Sequence, residues 1–297
     1  MAIKKYISSY LFILSLVLSL LFFLFHDNYL FAKDGSIAYL HLTEGYWQVW
    51  VMDEEGAHSY QITTDAEDKI KISWAGNNQE ILYNTNLGEL YIINVKSLER
   101  KKIPVDIKGT TDAQCSFDGK YICFSANTLN SIDSNDIWIT DITGGTVRKI
   151  TQWPGLQHNP VWADNGKKIL FLSGSGGQNH NIFIMDREGK EKKQLTVNAL
   201  YNFDPACSTK GKVAFSSNRT GNYEIWTMDL SGKNQTQLTH HEAFDGQPTF
   251  SPDGKKIAFV SHRNGQQGIW VMDNNGKNCK PLLKGKFKCR SPVWCVY

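Results

Sequence analysis

Three histidines and two arginines are the side chains best equipped for chemistry in this 297-residue chain. His158, His180 and His262 could carry a proton near neutral pH or ligate a metal, because an imidazole titrates there and offers two ring nitrogens. Arg219 and Arg263 could clamp a carboxylate or phosphate through paired N–H donors. Asn159, Asn202, Asp204 and Asp245 stand near them in sequence and could hold a ligand. None of the three histidines has His-x-His or Glu-x-x-His spacing, so no cofactor is predicted. A cation held jointly by carboxylates and carbonyls is left open. Each of these residues also has an ordinary role. Asn159, Asp204 and Asp245 precede short strands, where such side chains bond their own turn backbone. Arg219 and Glu224 could pair as architecture.

One basic cluster stands out, Lys284-Gly-Lys-Phe-Lys-Cys-Arg290, which includes Lys286, Lys288 and Arg290 and has no acid. It reads either as a solvated loop or as a contact for an acidic protein surface, a polysaccharide or an anionic lipid headgroup. Enzyme signatures are lacking. Gly174-Ser175-Gly176-Gly177 is not a Gly-x-Ser-x-Gly elbow, and there is no phosphate-cradling loop or zinc spacing. The net charge of +3 is too small to argue for a nucleic-acid partner. With 41% hydrophobic and 21% charged residues the composition is globular, and 24 glycines spread along the chain favour many turns over a helical bundle.

The N-terminus must be set apart before any element is assigned. Lys4 and Lys5 precede an uncharged run, residues 6–25, in which Ser15 and Ser19 are the only polar residues after Leu11. This predicts an export signal within residues 1–32, either cleaved near Leu30-Phe31-Ala32 or retained as an inner-membrane anchor. No cysteine lies near its end, which excludes a lipoprotein anchor. Residues 33–297 are then periplasmic or otherwise extracytoplasmic, and membrane contact comes only through an uncleaved leader. The six cysteines all lie in this exported part, where disulfides are permitted.

What must position the polar residues is a repeat. An aromatic, two apolar-leaning residues and then Asp or Asn recur at Trp50–Asp53, Tyr91–Asn94, Trp138–Asp141, Phe183–Asp186, Trp226–Asp229 and Trp270–Asp273. Successive copies end 41, 47, 45, 43 and 44 residues apart. In the fullest copy, Gln247–Ser251 reads as a strand and Pro252-Asp-Gly254 as a tight turn. A second strand over Lys256–Ser261, a third over Ile269–Asp273 and a fourth over Lys280–Leu283 follow, the last two joined by Asn274-Asn-Gly276. Six units of four short antiparallel strands predict an all-β, six-bladed β-propeller. Phe250 aligns with Trp74, Cys115, Trp162, Cys207 and Trp294, so Cys115 and Cys207 read as core residues between blades. Cys279, Cys289 and Cys295 are better placed for a bridge. The first unit starts at its second strand, Ser36–His41, and the chain ends on a first strand, Ser291–Tyr297. The C-terminal strand therefore completes the first blade and closes the ring.

The run Phe250-Ser-Pro-Asp-Gly-Lys-Lys-Ile-Ala-Phe, with Ser261-His-Arg-Asn-Gly and Ile269-Trp-Val-Met-Asp273, resembles the repeat of the TolB-type propellers. Asp204-Pro, Ser217-Asn-Arg-Thr-Gly-Asn222 and Glu224-Ile-Trp-Thr-Met-Asp229 give a second copy, and the resemblance spans roughly residues 36–297. It implies six blades and an envelope-protein partner such as the Pal lipoprotein. It differs from that family's full-length members in running from leader to blade without the α/β segment that faces TolA. In this fold the loops before each inner strand and the second-to-third strand loops gather around the channel mouth. The three histidines, read as coming from three blades, would approach one another there. The expected function is an exported scaffold docking a protein or small ligand at that mouth. The rival is a lyase or hydrolase acting on an oligosaccharide, marked by a cluster of His158, His180 and Arg263; a membrane-tethered interaction protein is a third reading.

Overall fold

The computed structural model describes residues 35–295, apart from 77, 129–134, 176, 177, 198–200 and 284–287. The apolar run at residues 6–25 and Lys286 lie outside the described residues. Among the described residues no helix is long and apolar enough to cross a membrane.

Among the described residues twenty-four strands follow one another along the chain. The first blade takes β1 (Ile37–Thr43), β2 (Tyr46–Met52) and β3 (Ser59–Gln61). The second is β4 (Lys69–Ala75), β5 (Glu80–Thr85), β6 (Leu90–Asn94) and β7 (Arg100–Ile103). The third is β8 (Thr110–Cys115), β9 (Tyr121–Asn127), β10 (Asn135–Asp141) and β11 (Val147–Lys149). The fourth is β12 (Leu156–Ala163), β13 (Lys168–Ser175), β14 (Gln178–Asp186) and β15 (Lys193–Gln194). The fifth is β16 (Asn202–Cys207), β17 (Lys212–Ser217), β18 (Glu224–Asp229) and β19 (Thr236–Gln237). The sixth is β20 (Asp245–Phe250), β21 (Lys256–Ser261), β22 (Gly268–Asp273) and β23 (Lys280–Pro281). The last strand, β24 (Cys289–Trp294), returns to the first blade, whose order is β24-β1-β2-β3.

This is the six-bladed ring expected from the repeat, closed as expected: β24 pairs antiparallel with β1, Ile37 opposite Trp294 and His41 opposite Cys289. The second unit forms a full four-stranded blade like the others, in the order β4-β5-β6-β7. The turn chemistry explains why the repeat phrase ends on Asp or Asn. Asp141 accepts the backbone N–H groups of Thr143, Gly145 and Thr146, and Asp53 accepts those of Ala57 and His58. Each carboxylate thereby caps the hairpin between third and fourth strands. A second recurring device escaped the sequence reading. The hydroxyls of Thr63, Thr151, Thr196 and Thr239 accept third-strand N–H groups from Val49, Ile137, Ile182 and Ile225 at 2.8–2.9 Å.

The second strand of each blade is buried on both faces, which is why stretches such as Ile257–Val260 are apolar without alternation. Among the described residues the buried apolar side chains form six clusters, one at each interface between neighbouring blades. The column predicted from Phe250 sits in these interfaces. Trp74, Trp162 and Trp294 are fully buried, and their indole N–H groups donate to the carbonyls of Val293, Gln114 and Gly35. Cys115 is buried and Cys207 half-buried in the same column, and burial pushes both thiols up to about 12. The bridge expected among Cys279, Cys289 and Cys295 is not formed. All six cysteines are free, with Cys289 and Cys295 buried and the Cys279 sulfur taken up by an Arg263 N–H at 3.0 Å.

All six inner strands break register after their first residues, as a β-bulge does. In five of them the bulge residue has a left-handed backbone: Asp112 (φ 54), Asn159 (φ 51), Asp204 (φ 51), Gln247 (φ 52) and Ser291 (φ 52). Asn and Asp tolerate that region better than other side chains. Proline follows in four of these blades, where a missing N–H costs nothing because the bulge leaves no ladder bond to make. The bulge re-aims one side chain per blade toward the axis.

Candidate functional site

The re-aimed residues make a polar belt inside the channel: Lys71, Asp112, Asn159, Asp204, Gln247 and Ser291. Neighbours in the belt are bonded blade to blade. The Asn159 N–H donates to Asp112 Oδ2 (3.2 Å), the Gln247 N–H to Asp204 Oδ2 (3.2 Å), and the Ser291 N–H to Gln247 Oε1 (2.7 Å). Lys71 Nζ reaches Asn159 Oδ1 at 3.3 Å, from the second blade to the fourth. One ammonium thus shares the channel with two carboxylates. Loss of hydration raises the Asp204 carboxyl above its ordinary range; the Lys71 charge opposes that rise and the Asp112 charge adds to it. Beneath the belt lies a cavity of about 120 Å³, bounded by Lys71, Asp204 and Gln247 above and by residues such as Ser73, Gln114 and Thr249 below.

Asn159 and Asp204 were expected to bond their own turns. Asn159 instead belongs to the belt, while Asp204 joins the sixth blade to the Ser216 hydroxyl of its own. The difference arises because the bulge turns them away from the local backbone and toward the next inner strand. Asp245 is wholly buried and holds Arg263 Nη2 at 2.5 Å. Arg263 lies over the rings of Trp270 and Phe259, its centre 5.3 and 5.7 Å from the ring centroids. Arg219 repeats this arrangement one blade earlier, over Trp226 (4.6 Å) and Phe215 (5.4 Å), with Nη2 donating to Asn202 Oδ1 at 3.0 Å. The expected Arg219–Glu224 pair is absent from these contacts. Glu224 instead receives the Thr239 hydroxyl and the His241 N–H, and Arg219 also donates to Gln235. Asn202 is buried and bonds the fourth blade through the His180 carbonyl. These four residues fasten strands and blades just below the mouth.

His158 and His180 come together, but in one blade rather than two: His158 is on β12 and His180 on β14. The Nε2 of His158 and the Nδ1 of His180 are 3.1 Å apart. Burial lowers both imidazoles; the Asp112 charge partly restores His158 and His180 opposes it. His262 is exposed in the sixth blade, far along the rim. Of the basic cluster, Lys288 is exposed, and Arg290 lies over Trp47 with its centre 4.1 Å from the ring centroid.

The histidines turn out to be joined by a row of rings that the sequence reading did not single out. His158 meets His180 (5.0 Å between centroids), His180 meets Phe203 (5.1 Å), and Phe203 meets Tyr223 (5.9 Å). Tyr223 then meets Phe244 (5.6 Å) and Phe244 meets His262 (5.2 Å). Tyr201 stacks on Phe203, interplanar angle 5°. All are half-buried except the exposed His262. The arc therefore lines the rim over blades four to six. Gly246 is part of its construction: a Cβ there would lie 2.5 Å from the Phe244 ring, so only glycine lets that ring lie down. On the opposite rim, blades one and two present charge instead, with Arg290 on Trp47 and buried Lys69 paired to Asp65 at 2.6 Å.

Arg263 is held at Asp245 and away from the histidine pair, so the constellation expected of the enzyme reading does not assemble. Among the described residues no three or more His, Cys, Asp or Glu side chains are grouped to hold a metal ion.

The sequence profile of the TolB beta propeller domain matches residues 33–296. The "Tol-Pal system protein TolB" of Francisella tularensis subsp. mediasiatica is 31% identical over 107 residues, 36% of this chain and 24% of that protein. That of Wolinella succinogenes is 24% identical over 176 residues, 58% and 41% of the two chains. The matches thus span only about a quarter to two fifths of these relatives. Among solved structures, TolB from Acinetobacter baumannii superimposes with TM-score 0.77 at 22% identity, covering 88% of this chain and 67% of that one. An oligogalacturonate lyase in complex with manganese shares the fold at TM-score 0.63 and 12% identity, covering 85% and 75%.

Proposed function

We propose that this chain, which belongs to the TolB β-propeller family, is an extracytoplasmic binding scaffold whose channel mouth docks a segment of an envelope protein. The observation that carries this reading is the division of labour at the mouth. Asp204, Asp245, Arg263, Arg219 and Asn202 spend their bonds on joining strands and blades, while the aromatic rim stays half-exposed. A ring locked this way loses little conformational freedom on binding, which favours affinity without chemistry. The relatives named as Tol-Pal system proteins support a Pal-like lipoprotein as the partner class. The leader at residues 1–32 supports a periplasmic site of action, with residues 6–25 as the anchor if it is retained.

The decisive experiment is capture from envelope extracts with the full chain, beside a Lys71→Glu variant that reverses the lone belt ammonium. Recovery of one envelope protein by the parent and its loss from the variant is the expected result. Equal recovery by both would move the docking site away from the mouth, and a chain found only in the cytoplasm would end the reading.

A further inference from the structure

The arc over blades four to six has a chemical character of its own. Its rings are aromatic and carry no fixed charge. Arg219 and Arg263, the arginines of blades five and six, are stacked and bonded below it, so neither is poised to clamp an acidic ligand. Neighbouring ring planes tilt by 42°, 56° and 43° from Phe203 through Tyr223 and Phe244 to His262, so the exposed faces turn with the rim. The hydroxyls of Tyr201 and Tyr223 have no hydrogen-bond partner among the described residues, and the His158–His180 pair offers further ring nitrogens beside them. Apolar faces every 5–6 Å, each within reach of a neutral hydrogen-bonding group, suit a ligand with the same alternation.

We infer that this arc is a subsite for an uncharged carbohydrate chain. A pyranose presents a face of C–H groups, which packs on an aromatic ring, and a rim of hydroxyls that both donate and accept. Tyr223 and Phe244 would carry the sugar faces, and Tyr201, Tyr223 and His180 the hydroxyls. An acidic sugar would gain no partner from Arg219 and Arg263, which are bonded below the arc, or from Arg290 and Lys69 on the opposite rim. The inference rests on the mouth being the binding face, but adds a second class of ligand to the protein segment proposed above.

The test is titration of the full chain with chitotetraose and maltotetraose, with tetragalacturonate as the charged comparison, followed by calorimetry. Saturable binding of a neutral oligosaccharide is expected, weakened roughly tenfold by Tyr223→Ala or Phe244→Ala and untouched by Lys101→Ala on the outer strand of the second blade. Gly246→Ala, which removes no ring but forces Phe244 upward, should weaken it too. Circular dichroism of each variant confirms that the ring still folds. Absence of saturation by either neutral sugar, equal binding by Tyr223→Ala, or preference for tetragalacturonate would overturn the inference. Displacement of the sugar by a proline-rich peptide that binds more tightly would overturn it in favour of a peptide groove. A Tyr223→Ala chain that loses the sugar yet still captures its envelope protein would separate this inference from the function it builds on.

Discussion

Replacing Trp294 by alanine tests the closure of the ring at its most concentrated point. The indole is 1% exposed, packed between the first and sixth blades, and its N–H donates to the Gly35 carbonyl at 2.7 Å. Deleting a buried Trp side chain costs about 3–5 kcal/mol, and stranding its buried carbonyl partner adds about 1 kcal/mol. Against a total stability of about 5–15 kcal/mol, that is a large share. At about 2–4 °C per kcal/mol for a domain of this size, the melting temperature should fall by roughly 10–20 °C. Thermal and urea melts followed by circular dichroism measure the loss. Amide exchange places it: the amides of β1 and β2 should lose protection before those of blades three and four. Trp162→Ala is the matched comparison, equally buried in the same column but between the third and fourth blades. It should cost as much while leaving β1 protected. A Trp294→Ala protein within about 1 kcal/mol of the parent would refute the reasoning, as would a chain ending at Lys288 that still folds cooperatively.

Two further outcomes follow from the mouth. Arg263→Ala strands the wholly buried Asp245 carboxylate and should cost about 3–5 kcal/mol, whereas Arg263→Met with Asp245→Leu should recover most of it; equal melts for the single and double variants would argue against a buried ion pair. His158 and His180 are held below their ordinary pKa, so the fold favours them neutral and their stability is intact above about 6.5. That stability is lost as pH falls through the folded values, and His158→Gln should flatten the decline in urea midpoint between pH 7 and pH 5 by a measurable part. An unchanged slope would assign the acid sensitivity elsewhere.

The propeller itself was legible because each blade spells the same instructions. The Asp or Asn ending each repeat phrase caps a hairpin, a turn ending in glycine joins the first two strands in blades three to six, and the Phe250 column fills every interface. The missing first strand of the opening unit even foretold β24. The site was less legible, because function sits where the copies disagree. The residue just before the bulge position of the inner strands is Ile70, Thr111, His158, Phe203, Gly246 and Arg290, and a repeat carries no information about a column with no consensus. The bulge was also invisible: Asn159 and Asp204 looked like turn residues, and only the left-handed backbone shows that they point toward the channel. Arg219 and Glu224 looked pairable at five residues apart, but the arginine lies over the aromatic face of its blade while the glutamate binds Thr239. Contacts between blades join residues some 44 positions apart, as Ser291 does with Gln247, and no local pattern announces them.

The register of β24 against β1 also sets a direction. Cys289 and His41 mark the mouth end of the pair, while Trp294 and Ile37 mark the other, and Gly35 is pinned there by the Trp294 indole. Gly35 therefore lies on the face of the ring turned away from the aromatic rim. A tether attached on that side would hold the propeller like a cup on a stem, its opening facing away from the surface that carries it. The rim would then meet ligands arriving from across the compartment, and the length of the stem would set how far it can reach.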